Sequence, residues 1–87
     1  MPSAFVRNDQ PFERAGDEAL VLDLEHDRYF GLNAVAADLW ALLAQPRTVP
    51  ELADALCARF QVDAATAAAD VSHWTAELQR LGLIRPA

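Results

Sequence analysis

LVLDLEHDRYFGLNAVAADLW, residues 20–40, is the stretch whose reading decides the fold. Leu20, Leu22 and Leu24 alternate with Val21 and Asp23, the period-2 pattern of a strand with one face on a core, and the strand is predicted over residues 18–24. Glu25, His26 and Asp27 form a polar break. Arg28, Tyr29, Phe30, Gly31 and Leu32 then return as a short aromatic strand, and Asn33 is placed to N-cap a helix beginning at Ala34. On the return strand Phe30 and Leu32 share a face and are expected against the helices, with Tyr29 and Gly31 pointing the other way. The strand carries a single charge, at Arg28, and is expected to lie at a sheet edge. Such an edge offers unpaired backbone donors and acceptors to another extended chain, which points to peptide capture rather than catalysis.

Upstream, residues 1–10 are polar and expected to be a flexible segment, with the folded domain spanning residues 11–87. A first strand is predicted over residues 11–15, turned by Gly16 and Asp17 into the next. Downstream, a first helix is predicted over residues 34–44, with Val35, Leu39, Leu42 and Leu43 as its apolar stripe, Trp40 flanking it and Pro46 ending it. A second starts after Thr48, where Thr48-Val49-Pro50-Glu51 has capping-box spacing and a proline in the first turn. Its core face is Val49, Leu52, Ala53, Leu56 and Phe60. Asp63 caps a third helix over residues 64–81, with Gly82 in the C′ position and Leu83 and Ile84 as an apolar tail. A three-stranded antiparallel sheet followed by three helices makes a winged-helix-like α+β domain. That architecture serves DNA binders and peptide binders alike, so the site has to choose between them.

Composition narrows the choice. Eighty-seven residues hold one core. No apolar run approaches the ~20 residues of a membrane span, and the N-terminus lacks the apolar region of a secretory signal, so the cytoplasm is the expected compartment. The single cysteine, Cys57, excludes an internal disulfide and a cysteine-rich zinc site. His26 and His73 share no metal-ligand spacing and read as solvated, and no phosphate loop or nucleophile motif is present; neither catalysis, cofactor nor metal is expected. A net charge of −6 opposes nucleic acid and anionic membranes as partners. The helix that would enter a DNA groove, the third, carries Asp70, Glu77 and Arg80, too little positive charge to hold phosphates.

On a helical wheel the third helix places Val71, Trp74, Leu78 and Leu81 on the core side. Asp70, His73, Glu77 and Arg80 flank this stripe on one side. Ala65, Ala68, Ser72, Thr75 and Gln79 flank it on the other, and a band of such small or uncharged side chains lets another backbone approach. The expected peptide-binding residues are therefore Arg28, Tyr29, Phe30, Gly31 and Leu32 on the strand, and Ala68, Val71, Ser72 and Thr75 on the helix.

The order LVLDLEHDRYFGLNAVAADLW, RTVPELADALCARFQVD, ADVSHWTAELQRLGLI resembles the PqqD-like proteins, the stand-alone recognition elements for ribosomally made, modified peptides (RiPPs), over residues 12–84. The markers are a strand ending in Gly-Leu-Asn, a helix with an internal Leu-Trp, a TVPEL helix start and a closing Gly-Leu-Ile. The resemblance implies a three-stranded sheet with three helices that binds the leader segment of a precursor peptide and presents its core to a modifying enzyme or leader peptidase. It also implies that the leader adds as a strand to the third strand, in the groove facing the third helix. DRYFGLN is closer to the leader-binding proteins of lasso-peptide pathways, whose partners are a leader peptidase and a cyclase. In pyrroloquinoline quinone synthesis the corresponding partner is a radical SAM enzyme.

Overall fold

The structure is a computed structural model, and its described residues are 3–87. In order along the sequence lie β1 (Ala4–Arg7), β2 (Phe12–Ala15), β3 (Glu18–Asp23), β4 (Arg28–Leu32), α1 (Ala34–Leu42), β5 (Arg47–Thr48), α2 (Val49–Arg59), α3 (Ala64–Arg80) and β6 (Ile84–Pro86). Each helix begins where its capping residue dictates. Asn33 accepts the Ala36 N–H at 2.9 Å, and Asp63 accepts the Thr66 N–H at 2.7 Å. Thr48 and Glu51 close a reciprocal capping box, at 3.2 Å and 2.9 Å. The hydrogen bond from the Thr48 N–H holds the Glu51 carboxyl below its ordinary value, and that from Thr66 does the same for Asp63. Gly82, at φ 77°, ends α3 in the left-handed conformation that glycine adopts without strain.

The architecture is α+β, with two three-stranded antiparallel sheets rather than one. The order β2-β3-β4 is the meander that the sequence announces. The second, in the order β5-β1-β6, is not announced, because its central strand lies where a flexible segment was expected. That expectation for residues 1–10 is corrected over Ala4–Arg7: β1 pairs with Arg47–Thr48 on one side and Ile84–Pro86 on the other. Besides these pairings, Arg7 N–H donates to the Leu43 carbonyl and Asn8 N–H to the Leu83 carbonyl, both at 2.9 Å. These partners are remote in sequence, so no local pattern signals them. Residues 1 and 2 of the same expected segment lie outside the described residues.

The core gathers Val21, Leu32, Trp40, Leu43, Leu52, Val71, Leu83 and Ile84 between the sheets and the helices. Trp40 is its centre at 1% exposure rather than a flanking residue. The face of β3 is also the reverse of the one expected. Ala19, Val21 and Asp23 are buried, whereas Leu20 and Leu24 are 38% and 73% exposed. Register explains it: Ala19 sits opposite Leu32 and Val21 opposite Phe30, so the two inward residues of β4 fix which face of β3 goes in.

If β1 is part of the folded unit, a chain beginning at Asp9 should lose more than ~2 kcal/mol of stability, since the half-buried Phe5 and Val6 lose their partners. Urea titration measures it. An unchanged midpoint would restore the flexible tail.

Candidate functional site

The β2-β3-β4 sheet has two outer edges, and their chemistry differs. β2 carries Glu13 and Arg14 within four residues and follows Pro11, features that discourage another strand from pairing. Arg14 is engaged further, with its Nη1 donating to the Ala37 carbonyl and its Nη2 3.8 Å from Asp38. β4 has one charge, at its first residue. Among the described residues no strand pairs with its other edge. Phe30 and Leu32 face the core, and Tyr29 points outward at 73% exposure, as the sequence indicates. Gly31 lies on the outer face between Leu20 and open space. Its φ is not positive and a Cβ there would meet nothing within 4 Å, so neither backbone nor packing within this chain demands a glycine.

The lone charge of the edge is neutralised from within. Arg28 reaches Asp23 through Nη2 at 2.7 Å and Nε at 3.3 Å, and its guanidinium lies 5.4 Å from the Phe30 ring centre. His26 Nδ1 lies 3.0 Å from the same carboxylate. His26 is thus a partner of Asp23 and not simply solvated, although more than half of its side chain is exposed. These contacts clamp the β3–β4 turn, in which Asp27 adopts φ 53°. Arg28 foremost, then His26, hold the Asp23 carboxyl below its ordinary value of 3.8, against the opposing effect of burial.

One residue beyond β4 the surface opens into a hollow of about 290 Å³. Asn33, Val35, Ala36 and Leu39 line it from the α1 side, and Asp70, Val71 and Trp74 from α3. Of the helix residues expected at a peptide groove, only Val71 lies here. Ser72 and Thr75 line a different hollow, against Phe5, Val49 and Pro50, and Ala68 is an exposed position that lines neither. The wheel was rotated because Thr75 is core: it is 2% exposed, and its hydroxyl donates to the Val71 carbonyl at 2.9 Å. A mid-helix threonine can bury its hydroxyl by this back-bond, so counting it as polar shifts the apparent stripe. Ala67, Val71, Thr75 and Leu78 form the true buried face, and half-buried Trp74 stands at its margin on the side of the hollow that begins at Asn33. The sequence signal for this side is Trp74 with Asp70 four residues before it, which the helical wheel assigns to core and flank.

A family model described as coenzyme PQQ synthesis protein D matches residues 18–84. The chain belongs to the PqqD family. The matched region runs from the start of β3 to the first residue of β6, so it contains the β4 edge and the hollow beside it. A solved structure similar to this PqqD-family chain is "TbiB1 in Complex with the TbiA(beta) Leader Peptide". The two are 31% identical, with a TM-score of 0.83, over 92% of this chain and 94% of that one. No curated protein sequence matches.

Two measurements test this geometry in the PqqD-family chain. Because the folded Asp23 has a depressed pKa, its contribution is fully present above the unfolded value and is lost as pH falls through the lower folded value. Melting temperatures of the wild type and Asp23→Asn should therefore differ at neutral pH and converge below pH 3.8. Tyr29→Ala should melt within ~0.5 kcal/mol of wild type, whereas Phe30→Ala should lose about 1–3 kcal/mol. The reverse order would mean that the strand faces are exchanged.

Proposed function

We propose that this protein binds the leader segment of a ribosomally synthesised precursor peptide by strand addition to β4, and presents it to a modifying enzyme or leader peptidase without catalysing a step itself. The observation that carries this is the free edge of Arg28–Leu32, uncharged in effect because Asp23 neutralises Arg28. It belongs to a chain whose structure matches, nearly end to end, a protein solved with a leader peptide. In such capture the main chain supplies most of the hydrogen bonds and hollows beside the strand select side chains. The groove is the one between β4 and the Asp70–Trp74 side of α3, not the Ser72 side. The DRYFGLN strand favours a lasso-peptide pathway, with a leader peptidase and a cyclase as partners. The alternative within the family is a chaperone role beside a radical SAM enzyme in cofactor synthesis. Precursors are made on ribosomes, which places the encounter in the cytoplasm; among the described residues no helix is long and apolar enough to cross a membrane.

DNA binding through a winged-helix-like arrangement is the competing class. The single basic residue of α3, Arg80, is already paired with Glu77, so the helix offers phosphates nothing free.

The test is binding of the precursor encoded beside this gene. Leader-containing precursor should bind, the leaderless core should not compete, and amide exchange should slow along β4. Ala36→Trp, which would fill the hollow, should weaken binding at least tenfold, ~1.4 kcal/mol, while Ser72→Trp in the opposite hollow binds normally. Tight binding to duplex DNA at physiological salt, with none to the precursor, would establish the other class.

A further inference from the structure

The hollow beside β4 combines three features. Val35, Ala36, Leu39 and Val71 give it an apolar floor. Trp74 stands half-exposed at its margin, and Asp70, one turn earlier on α3, contributes the only charge in its lining among the described residues. Three carboxylates elsewhere in the fold are answered by arginines: Asp23 by Arg28, Asp38 by Arg14 and Arg59, Glu77 by Arg80. Asp70 makes no ion pair among the described residues. Of the other polar side chains in the lining, Asn33 turns its oxygen to the Ala36 N–H, and Trp74 carries only the indole N–H.

An acceptor without a donor, beside an aromatic face and above an apolar floor, complements one type of side chain. Its stem must be long and apolar so that it can cover the floor. Its head must be cationic, to meet the carboxylate by a charge-assisted hydrogen bond and the indole by cation–π attraction. We propose that this hollow receives a Lys or Arg side chain of the peptide that adds to β4, and that Asp70 is the residue that reads its charge. The inference rests on strand addition at β4. The hollow begins at Asn33, directly after the strand, so an extended peptide advancing ~3.3 Å per residue brings one side chain over it as it passes Leu32. The net charge of −6 favours the same sign of partner at longer range. An acidic side chain at that position meets only repulsion.

The probe is a display library of fully randomised 12-residue peptides, selected on the full-length chain. Wild type should enrich Lys or Arg at one fixed position, and Asp70→Lys should turn that position to Asp or Glu. In a selected peptide, replacing the enriched Lys or Arg by Gln should cost at least fivefold in affinity for wild type and less than twofold for Asp70→Asn. Asp70 is exposed, so both variants should melt as wild type does. If the selected peptides protect the β4 amides from exchange but the Gln replacement costs the same in wild type and Asp70→Asn, the charge-reading role is overturned and strand addition stands. If they bind without protecting β4, strand addition is overturned and this inference with it.

Discussion

Burial of Trp40 is the constraint on which the rest of the molecule depends. At 1% exposure its ring lies edge-on to Phe12, with centroids 6.2 Å apart, and the Arg7 guanidinium is stacked 4.5 Å from the Phe12 ring and 5.7 Å from the indole. Arg7 also donates to the Trp40 carbonyl at 3.2 Å. One residue of α1 thus joins the last residue of β1 to the first of β2, and through them the two sheets. The indole N–H has no partner among the described residues, a penalty of ~1–3 kcal/mol. Loss of a fully buried large aromatic side chain is worth ~3–5 kcal/mol, so packing outweighs the orphaned donor and the residue stays inside.

That junction leaves β4 where it is. α1 follows Leu32 with only Asn33 between them, so anchoring Trp40 in the core fixes the start of α1 and with it the end of the strand. The other end is fixed by the Asp23–Arg28–His26 clamp across the turn. A strand held at both ends but unpaired along one side keeps its backbone groups in register for a partner, so little ordering cost remains to be met on binding. A looser strand would have to be organised at the same moment, at the expense of affinity.

The residues show what the sequence could reveal and what it could not. The limits of β4 and the starts of all three helices were legible because capping, turn and alternation are local, written within three or four residues. β1, β5 and β6 were not, since Ala4–Arg7 acquires meaning only from Arg47–Thr48 and Ile84–Pro86. Two buried faces escape local polarity, because a polar side chain can be buried once its hydrogen bonds are met. Leu20 looked buried and is half outside, whereas Asp23, at 4% exposure, is inside because Arg28 and His26 answer its charge. Thr75 looked like groove and is core because its hydroxyl is satisfied within its own helix. In each case a hydrogen bond invisible to composition lets a polar side chain occupy the buried face, and for Thr75 it turns the apparent stripe of α3 away from the true one.

The exposed outer face of the β2-β3-β4 sheet follows from the same economy of size. The described residues of this 87-residue chain form three helices, and their apolar stripes cover one face of that sheet. Leu20, Leu24 and Tyr29 remain outside, alongside Glu13 and Glu18 on the same face. Apolar side chains interleaved with carboxylates resist edgewise and facewise self-association better than an unbroken apolar patch does. The charges on β2 and the open edge of β4 then divide the sheet into one side that repels additional strands and one that admits them. Under the proposed function this asymmetry is what makes recognition single-sided: a leader can extend the sheet at β4 only, in the one place where the hollow of α1 and α3 lies alongside to read its side chains.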